Sequence, residues 1–373
     1  MKTIEAKKTI QELLSLASIN INGNNSWDLQ VHNEKFFNQV LLEGSLGAGE
    51  SYMENWWDCK ELDEFFTRIF KTRLQDKIRG NWKTLVQVFL AKALNLQNIS
   101  GSFRSAKRHY DLGNDLFSTM LDQRMIYSCA YWKDAVTLEE AQEKKLKLTC
   151  LKLNLQPGMR VLDIGCGWGG FAKFASENYN VQVTGITVST EQAKLAKETC
   201  KGLPVDIRLL DYRQVNETFD RVVSLGMFEH VGYKNYRTYM KSVQRSLKDD
   251  GLFLLHTIGS NFTSTWNDPW INHYIFPNSL LPSIQQIAKA IEGIFVMEDW
   301  HNFSADYDRT IMAWHKNFET NWEKLKDRYD ERFYRMWNYY LLSCAGAFRS
   351  RKNQLWQVVL SKNGVPGGYI SIR

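Results

Sequence analysis

The stretch VLDIGCGWGG, residues 161–170, opens as an apolar run and closes in four glycines, Gly165, Gly167, Gly169 and Gly170. FAKFASENY follows directly, with helical spacing of its apolar residues. The pattern is strand, tight turn, helix. Glycines let a backbone pass close to a ligand, and the first turn of a helix offers N–H groups to it. The spacing departs from the GxGxxG of dinucleotide folds. Asp163 also stands two residues before Gly165. A carboxylate there repels a pyrophosphate, yet it accepts hydrogen bonds from the amino-acid part of a zwitterionic cofactor. Asp163, Gly165 and Gly167 therefore point to S-adenosylmethionine rather than NAD.

Working outward, β-rich runs recur at 160–164, 181–186, 205–209, 221–225 and 251–257. Helical runs at 171–177, 190–199 and 236–247 separate them. Alternation of this kind predicts a mostly parallel sheet covered on both faces, a Rossmann-like α/β domain. A long polar helix is expected near 310–338, and a closing hairpin from 355–361 and 368–372. The N-terminal part reads differently. Residues 1–20 form a short amphipathic helix. Leu62, Phe65, Phe66, Ile69 and Phe70 lie on one helical stripe, and Trp82, Leu85, Val86, Phe89 and Leu90 on another. The expected organisation is a small helical N-terminal domain over 1–98 and a catalytic domain over 99–373. A turn at 98–102 divides them.

Composition narrows the class. The 373 residues are 44% hydrophobic and 13% aromatic, which suits a large packed core. No apolar run is long enough to span a bilayer, and no secretory signal is visible at the start, so a cytoplasmic location is expected. The six cysteines are widely spaced, without a CxxC pair, and read as reduced thiols. The formal net charge is only +6, but residues 68–108 carry ten basic residues against one acid, Asp76. A partner with an anionic surface suits that stretch, either lipid or nucleic acid. No base-recognition module accompanies it, which argues against nucleic acid.

In open α/β sheets, chemistry gathers beyond the C-terminal strand ends. Thr187 and Gln192 follow one strand where a ribose-binding acid often stands, and their hydroxyl and amide can substitute for it. Asp211 and Tyr212 follow the next, placed to receive an adenine amino group and cover a ring face. Glu229 and His230 follow a third, and His256 ends a fourth. These acid and histidine positions lack metal-ligand spacing, so no metal site is expected. Cys129, between aromatics, reads as a buried inert thiol.

Taken together, GAGESYMENWWDC (47–59), HYDLGNDLF (109–117), MIYSCAYW (125–132), LDIGCGWGG (162–170), GITVSTEQ (185–192), DYR (211–213), MFEHVG (227–232), LLHTIG (254–259) and ADYDRT (305–310) resemble the cyclopropane-fatty-acyl-phospholipid synthase family. The matches run across nearly the whole chain. The N-terminal extension resembles the bacterial phospholipid-modifying branch more than the shorter mycolic-acid enzymes. The resemblance implies a class I S-adenosylmethionine-dependent methyltransferase fold. It implies methylene transfer from S-adenosylmethionine to the cis double bond of a phospholipid acyl chain, with ring closure to a cyclopropane.

It further implies a bound bicarbonate as base. Cys129, Glu229, His256, Ile258 and Tyr307 would surround it, Ile258 through its backbone N–H. Tyr127, Ser128 and the 109–117 segment would close over the cofactor. A substrate-facing insertion is expected around 260–310, with 266–283 as its centre. The N-terminal domain would dock on anionic lipid at the inner face of the cell membrane as a peripheral contact, and a homodimer would raise membrane avidity. The competing reading is a methyltransferase of a small amine or hydroxyl compound, which shares the glycine turn and needs no anion site.

Overall fold

The computed structural model describes residues 3–72 and 113–373. The second amphipathic stripe (82–90), the boundary at 98–102, residues 109–112 and all of the basic stretch from Arg73 onward lie outside the described residues.

Seven strands form the central sheet: β3 (Arg160–Ile164), β4 (Gln182–Thr187), β5 (Val205–Leu209), β6 (Phe219–Leu225), β7 (Leu247–Ser260), β8 (Val296–Asn302) and β9 (Asn353–Ser361). Their spatial order is β5-β4-β3-β6-β7-β9-β8. β3 to β7 are parallel, whereas β9 runs antiparallel between β7 and β8. Strand order reverses beside β3, which places a crevice at its C-terminal end, where ligands bind in such sheets. Four helices alternate with or flank these strands: α6 (Leu138–Lys152), α7 (Gly170–Tyr179), α8 (Thr190–Thr199) and α9 (Tyr236–Ser246). The predicted alternation is therefore present, with α8 and β5 at their expected bounds.

Beyond β7 the chain differs from expectation in three places. β8 was not anticipated. It is a half-exposed edge strand whose run VMEDWHN lacks a clean apolar alternation. The single helix expected over 310–338 is two, α11 (Ala305–Asn321) and α12 (Glu331–Arg349), after the short α10 (Ile284–Ile291). Asp330 breaks the run: its side chain accepts the Phe333 N–H at 2.8 Å and so begins a new helix. The closing hairpin is absent. β9 finds its ladder partners in β7 and β8, and the tail at 368–372 forms no strand. Instead Ser371 and Arg373 bond the buried Asp299 on β8, at 2.9 Å and 2.6 Å.

The N-terminal part holds α1 (Thr3–Ser15), α2 (Lys35–Glu43), α3 (Ser45–Met53) and α4 (Leu62–Lys71), with a two-residue ladder of β1 (Gln30–Val31) and β2 (Trp57–Asp58). These elements share one apolar core with α11 and α12 and with α5 (Asn114–Met120). Tyr339 of α12 touches Tyr52, Trp57, Phe66 and Trp270 within ring-centroid distances of 4.5–6.3 Å. Burial of Trp57 or Trp270 contributes on the order of 3 kcal/mol each. α4 approaches α12 at Gly346, where an added Cβ would lie 2.7 Å from the Phe66 Cβ. Arg349 fastens this packing: it donates to Asp63 of α4 at 2.6 Å and to Asp308 of α11 at 2.9 and 3.0 Å. Among the described residues no helix is long and apolar enough to cross a membrane.

Candidate active site

The glycine turn begins where β3 stops. Gly165 has φ +83°, a left-handed conformation, and a Cβ there would meet Met227 at 2.7 Å. Both facts demand glycine. Asp163, at the strand end, is 1% exposed, and its Oδ2 has no hydrogen-bond partner among the described residues. Burial pushes its carboxyl up to about 7, against the pull of the Lys145 ammonium. Thr187 ends β4 and donates to Gln192 Oε1 at 2.9 Å, which sets the amide at the start of α8. Asp211 follows β5. Arg213 grips its two oxygens at 2.7 and 2.8 Å, and a carboxylate so held still has lone pairs for another donor. The Tyr212 hydroxyl is buried without a partner among the described residues.

These residues line one cavity of about 150 Å³, together with Tyr127, Ser128, Gly167 and Trp168. All nine residues expected to hold the cofactor are in that lining. The orphaned Asp163 carboxylate suits an ammonium donor and the Tyr212 hydroxyl a polar edge, so the cavity fits S-adenosylmethionine.

Helix α6 braces the 125–132 segment, which lines this cavity through Tyr127 and Ser128. A capping box of Thr137 and Glu140 starts it. Its buried face carries Gln142, Lys145, Thr149 and Lys152 at helical spacing. Gln142 Nε2 donates to the Ser128 carbonyl at 2.9 Å and Lys145 Nζ to Ser128 Oγ at 3.1 Å. From the other side, α11 holds the same segment. Ala130 N–H donates to Thr310 Oγ1 at 3.1 Å and Trp132 N–H to Asp306 at 2.8 Å. Burial lowers Lys145 to about 8, although Asp122 and Asp163 favour its charge.

A second, longer cavity of about 690 Å³ shares Tyr127, Gly226, His230 and Phe276 with the first. Its walls include Phe66, Phe70, Trp270, Ile311, Trp314, Tyr340 and Phe348, drawn from both ends of the chain. Glu229, Ile258 and Tyr307 line it too. The Ile258 N–H, expected to hold an anion, donates instead to Glu229 Oε1 at 2.6 Å. Glu229 Oε2 has no partner among the described residues, and burial lifts this carboxyl to about 7. Tyr307 is also buried, which raises its hydroxyl well above the usual range and keeps it a proton donor.

Cys129 and His256 are fully buried and outside both linings. The Cys129 thiol donates to the Ala130 carbonyl, and burial raises it well above the ordinary thiol value, so it is no nucleophile. His256 is held neutral by burial and by the ammonium groups of Lys145 and Lys152. Gln357 Nε2 lies 3.4 Å from its Nδ1. With that amide donating, the ring proton sits on Nε2, which has no partner among the described residues.

Residues 97–358 match the mycolic acid cyclopropane synthetase family. The chain is 57% identical over 357 residues to the cyclopropane-fatty-acyl-phospholipid synthase of Escherichia coli strain K12, covering 96% of this chain and 93% of that protein. The cyclopropane synthase MmaA2 from Mycobacterium tuberculosis superposes with a TM-score of 0.66 at 32% identity, over 70% of this chain and 98% of that one. The mycolic acid cyclopropane synthase CmaA1, solved with SAH and CTAB, gives 0.65 at 33%, over 70% and 98%.

The chain belongs to the cyclopropane synthase family. Its fold is that of the class I S-adenosylmethionine-dependent methyltransferases, preceded by a helical extension. Reading the sequence of this cyclopropane synthase family member missed Lys145, Met227 and Phe276 as cavity residues. Lys145 left a signal, since four polar residues at helical spacing on an otherwise apolar helix face mark a buried polar network. Phe276 left none, because one aromatic among several in 266–283 does not announce its position.

Proposed function

We propose that this chain transfers a methylene unit from S-adenosylmethionine to the cis double bond of an unsaturated phospholipid acyl chain and closes a cyclopropane ring. One observation carries the reading. The smaller cavity beside the glycine turn and the larger, aromatic-walled cavity share Tyr127, Gly226, His230 and Phe276. An acyl chain in the long cavity would bring its double bond to that junction. S-adenosylmethionine supplies an electrophilic methyl group on sulfur. The SAH bound in the mycolic acid cyclopropane synthase supports placing it in the smaller cavity.

The residues divide the work. Asp163, Thr187, Gln192, Asp211 and Tyr212 orient the cofactor, with Tyr127, Ser128 and the glycine turn around it. Tyr127 is fixed by its hydroxyl contact to Tyr340 at 2.7 Å and by the Trp314 ring at 5.2 Å. Alkene carbons are weak nucleophiles, so alignment at the junction replaces acid activation. As a new carbon–carbon bond forms, positive charge appears on the chain. The faces of Tyr127, Phe276, Trp314 and Tyr340 stabilise it, and the apolar walls exclude water that would trap it.

Ring closure requires loss of a proton from the added carbon. Bicarbonate, when bound, supplies a base for that proton. The chemistry of Glu229 and Tyr307, which line the larger cavity, fits an anion, Tyr307 through its hydroxyl and Glu229 through a carboxyl that holds its proton up to about pH 7; His256, outside that lining, would add an Nε2–H. Cys129 belongs to the same apolar core as Tyr307. Helix α4, through Phe66 and Phe70, assigns part of the N-terminal domain to acyl-chain binding.

The test is mass spectrometry of vesicle lipids bearing cis-monounsaturated chains after incubation with the protein and S-adenosylmethionine. A gain of ~14 Da per chain with loss of the alkene is expected, the formula change for one methyl group added and one proton lost. Protein that binds S-adenosylmethionine yet leaves these lipids unchanged would overturn the assignment.

A further inference from the structure

The long cavity has two chemically different ends. At the inner end stand Tyr127, Gly226, Glu229, His230 and Phe276. The solvent-facing part of the lining includes the exposed Lys71 and Arg351 and the half-buried Lys352, alongside Phe262 and Trp266. Lys71 is the last residue of α4, whereas Arg351 and Lys352 join α12 to β9. Tertiary contacts bring them to one rim. Lys352 Nζ lies 3.9 Å from the centroid of Phe70, the neighbour of Lys71. Asn261 Nδ2 donates to the Arg351 carbonyl at 2.8 Å and the Lys352 carbonyl at 3.4 Å, fastening the loop that carries Phe262 and Trp266.

Lys71 and Arg351 are exposed. Phe262 and Trp266 are 58% and 47% exposed and are the aromatic members among the exposed large hydrophobic side chains of the described residues. The acids in the lining are elsewhere engaged. Glu229 is at the inner end, and Asp268 Oδ1 accepts the Trp270 and Ile271 N–H groups at 3.0 and 3.1 Å. Arg349, the last residue of α12, is held by Asp63 and Asp308 and is no part of this rim.

We propose that Lys71, Arg351 and Lys352 seat the phosphodiester of the phospholipid whose acyl chain fills the cavity, while Phe262 and Trp266 enter the surrounding lipid interface. This rests on the acyl-chain reading of the cavity given above. An amphiphile threaded into an apolar channel leaves its charged head at the mouth. Cations from two separate segments meet there beside an aromatic pair of the kind that settles at headgroup depth. A guanidinium and ammonium groups match phosphate oxygens. The rim thus selects a phospholipid from other lipids carrying the same chain.

The experiment compares two lipids with identical cis-unsaturated chains, a phosphatidylethanolamine and a diacylglycerol. Both are diluted into nonionic detergent micelles so that bulk surface charge is absent. The parent is expected to favour the phospholipid in kcat/KM. The pair Arg351→Gln with Lys352→Gln should lose about tenfold of that preference, mainly through KM, with S-adenosylmethionine affinity retained. The charge-keeping pair Arg351→Lys with Lys352→Arg should keep most of it. Lys71→Gln, at an exposed helix end, should shift the ratio the same way by less.

A parent without preference overturns the seat. So does a glutamine pair that keeps the parent ratio or declines equally on both lipids. A parent that modifies neither lipid sinks the acyl-chain reading itself, and the seat with it.

Discussion

The Glu229 carboxylate accepts the Ile258 backbone N–H at 2.6 Å, which ties the loop after β6 to the end of β7. Only one oxygen is satisfied this way. The other is buried and faces no donor among the described residues. The group is therefore reluctant to ionise, and its consequences can be measured.

Glu229→Gln should separate stability from activity. Burial raises the carboxyl from 4.5 to about 7, so between those values the folded chain binds more protons than the unfolded one. Stability then falls as pH rises through that window, by up to about 3 kcal/mol from this group. Glutamine keeps an acceptor for the Ile258 N–H and carries no such term. Urea denaturation should find the variant and parent alike near pH 4.5 and the variant more stable at pH 8. Its turnover should drop about 100-fold. A stability gap that does not widen with pH would contradict the assignment.

Asp163 should govern cofactor affinity through its ionised form. Its carboxyl is raised to about 7, and an ammonium donor binds the carboxylate. S-adenosylmethionine should bind more tightly as pH rises from 6 to 8, with proton release on binding below pH 7. Asp163→Asn should weaken binding about tenfold or more and flatten the pH dependence. Calorimetry in buffers of different ionisation enthalpy reads both effects. A parent affinity independent of pH would count against this role.

His256 should act as a neutral donor. Its ring is held far below ordinary imidazole values, so the rate profile should show no step at pH 6–7 from this residue. His256→Leu should cut turnover by about 100-fold and raise the bicarbonate concentration needed for half-maximal rate in carbonate-depleted buffer. His256→Gln, which keeps a donor, should retain more. An unchanged bicarbonate requirement in the leucine variant would remove His256 from the anion site.

Gly346→Ala should loosen α4 from α12. The new methyl would lie 2.7 Å from the Phe66 Cβ and 2.9 Å from the Asp63 carbonyl, so the helices must part. A destabilisation of about 1–3 kcal/mol is expected. Phe66 lines the long cavity, so KM for the lipid should rise while S-adenosylmethionine affinity holds. Urea midpoints and a two-substrate rate analysis check this. A variant as stable as the parent would mean the helices have room to spare.

Strand and helix alternation from β3 to β7, the glycine turn and the strand-end residues Asp163, Thr187, Gln192, Asp211 and Tyr212 that line the smaller cavity were legible in the chain. Each depends on local physics: period-two and period-3.6 patterning, left-handed glycines, and polar residues at strand ends. The same local signals failed where long-range pairing decides. The residues of β9 read as half of a hairpin, but they form an inner strand because β7 and β8 flank them. The tail beyond it stays irregular because Asp299 holds its end through Arg373.

Domain type, cofactor class and the polar residues at strand ends follow from local patterning along the chain. Only the tertiary structure decided that α4 and α12, about 270 residues apart in the chain, wall one cavity with the 260–283 segment, and that Tyr127, Gly226, His230 and Phe276 join it to the cofactor site. It also pairs the Ile258 amide with Glu229, 29 residues away in the chain. The physical reason is range. Backbone geometry and side-chain period act over a few residues, whereas a cavity wall is set by which apolar faces bury one another.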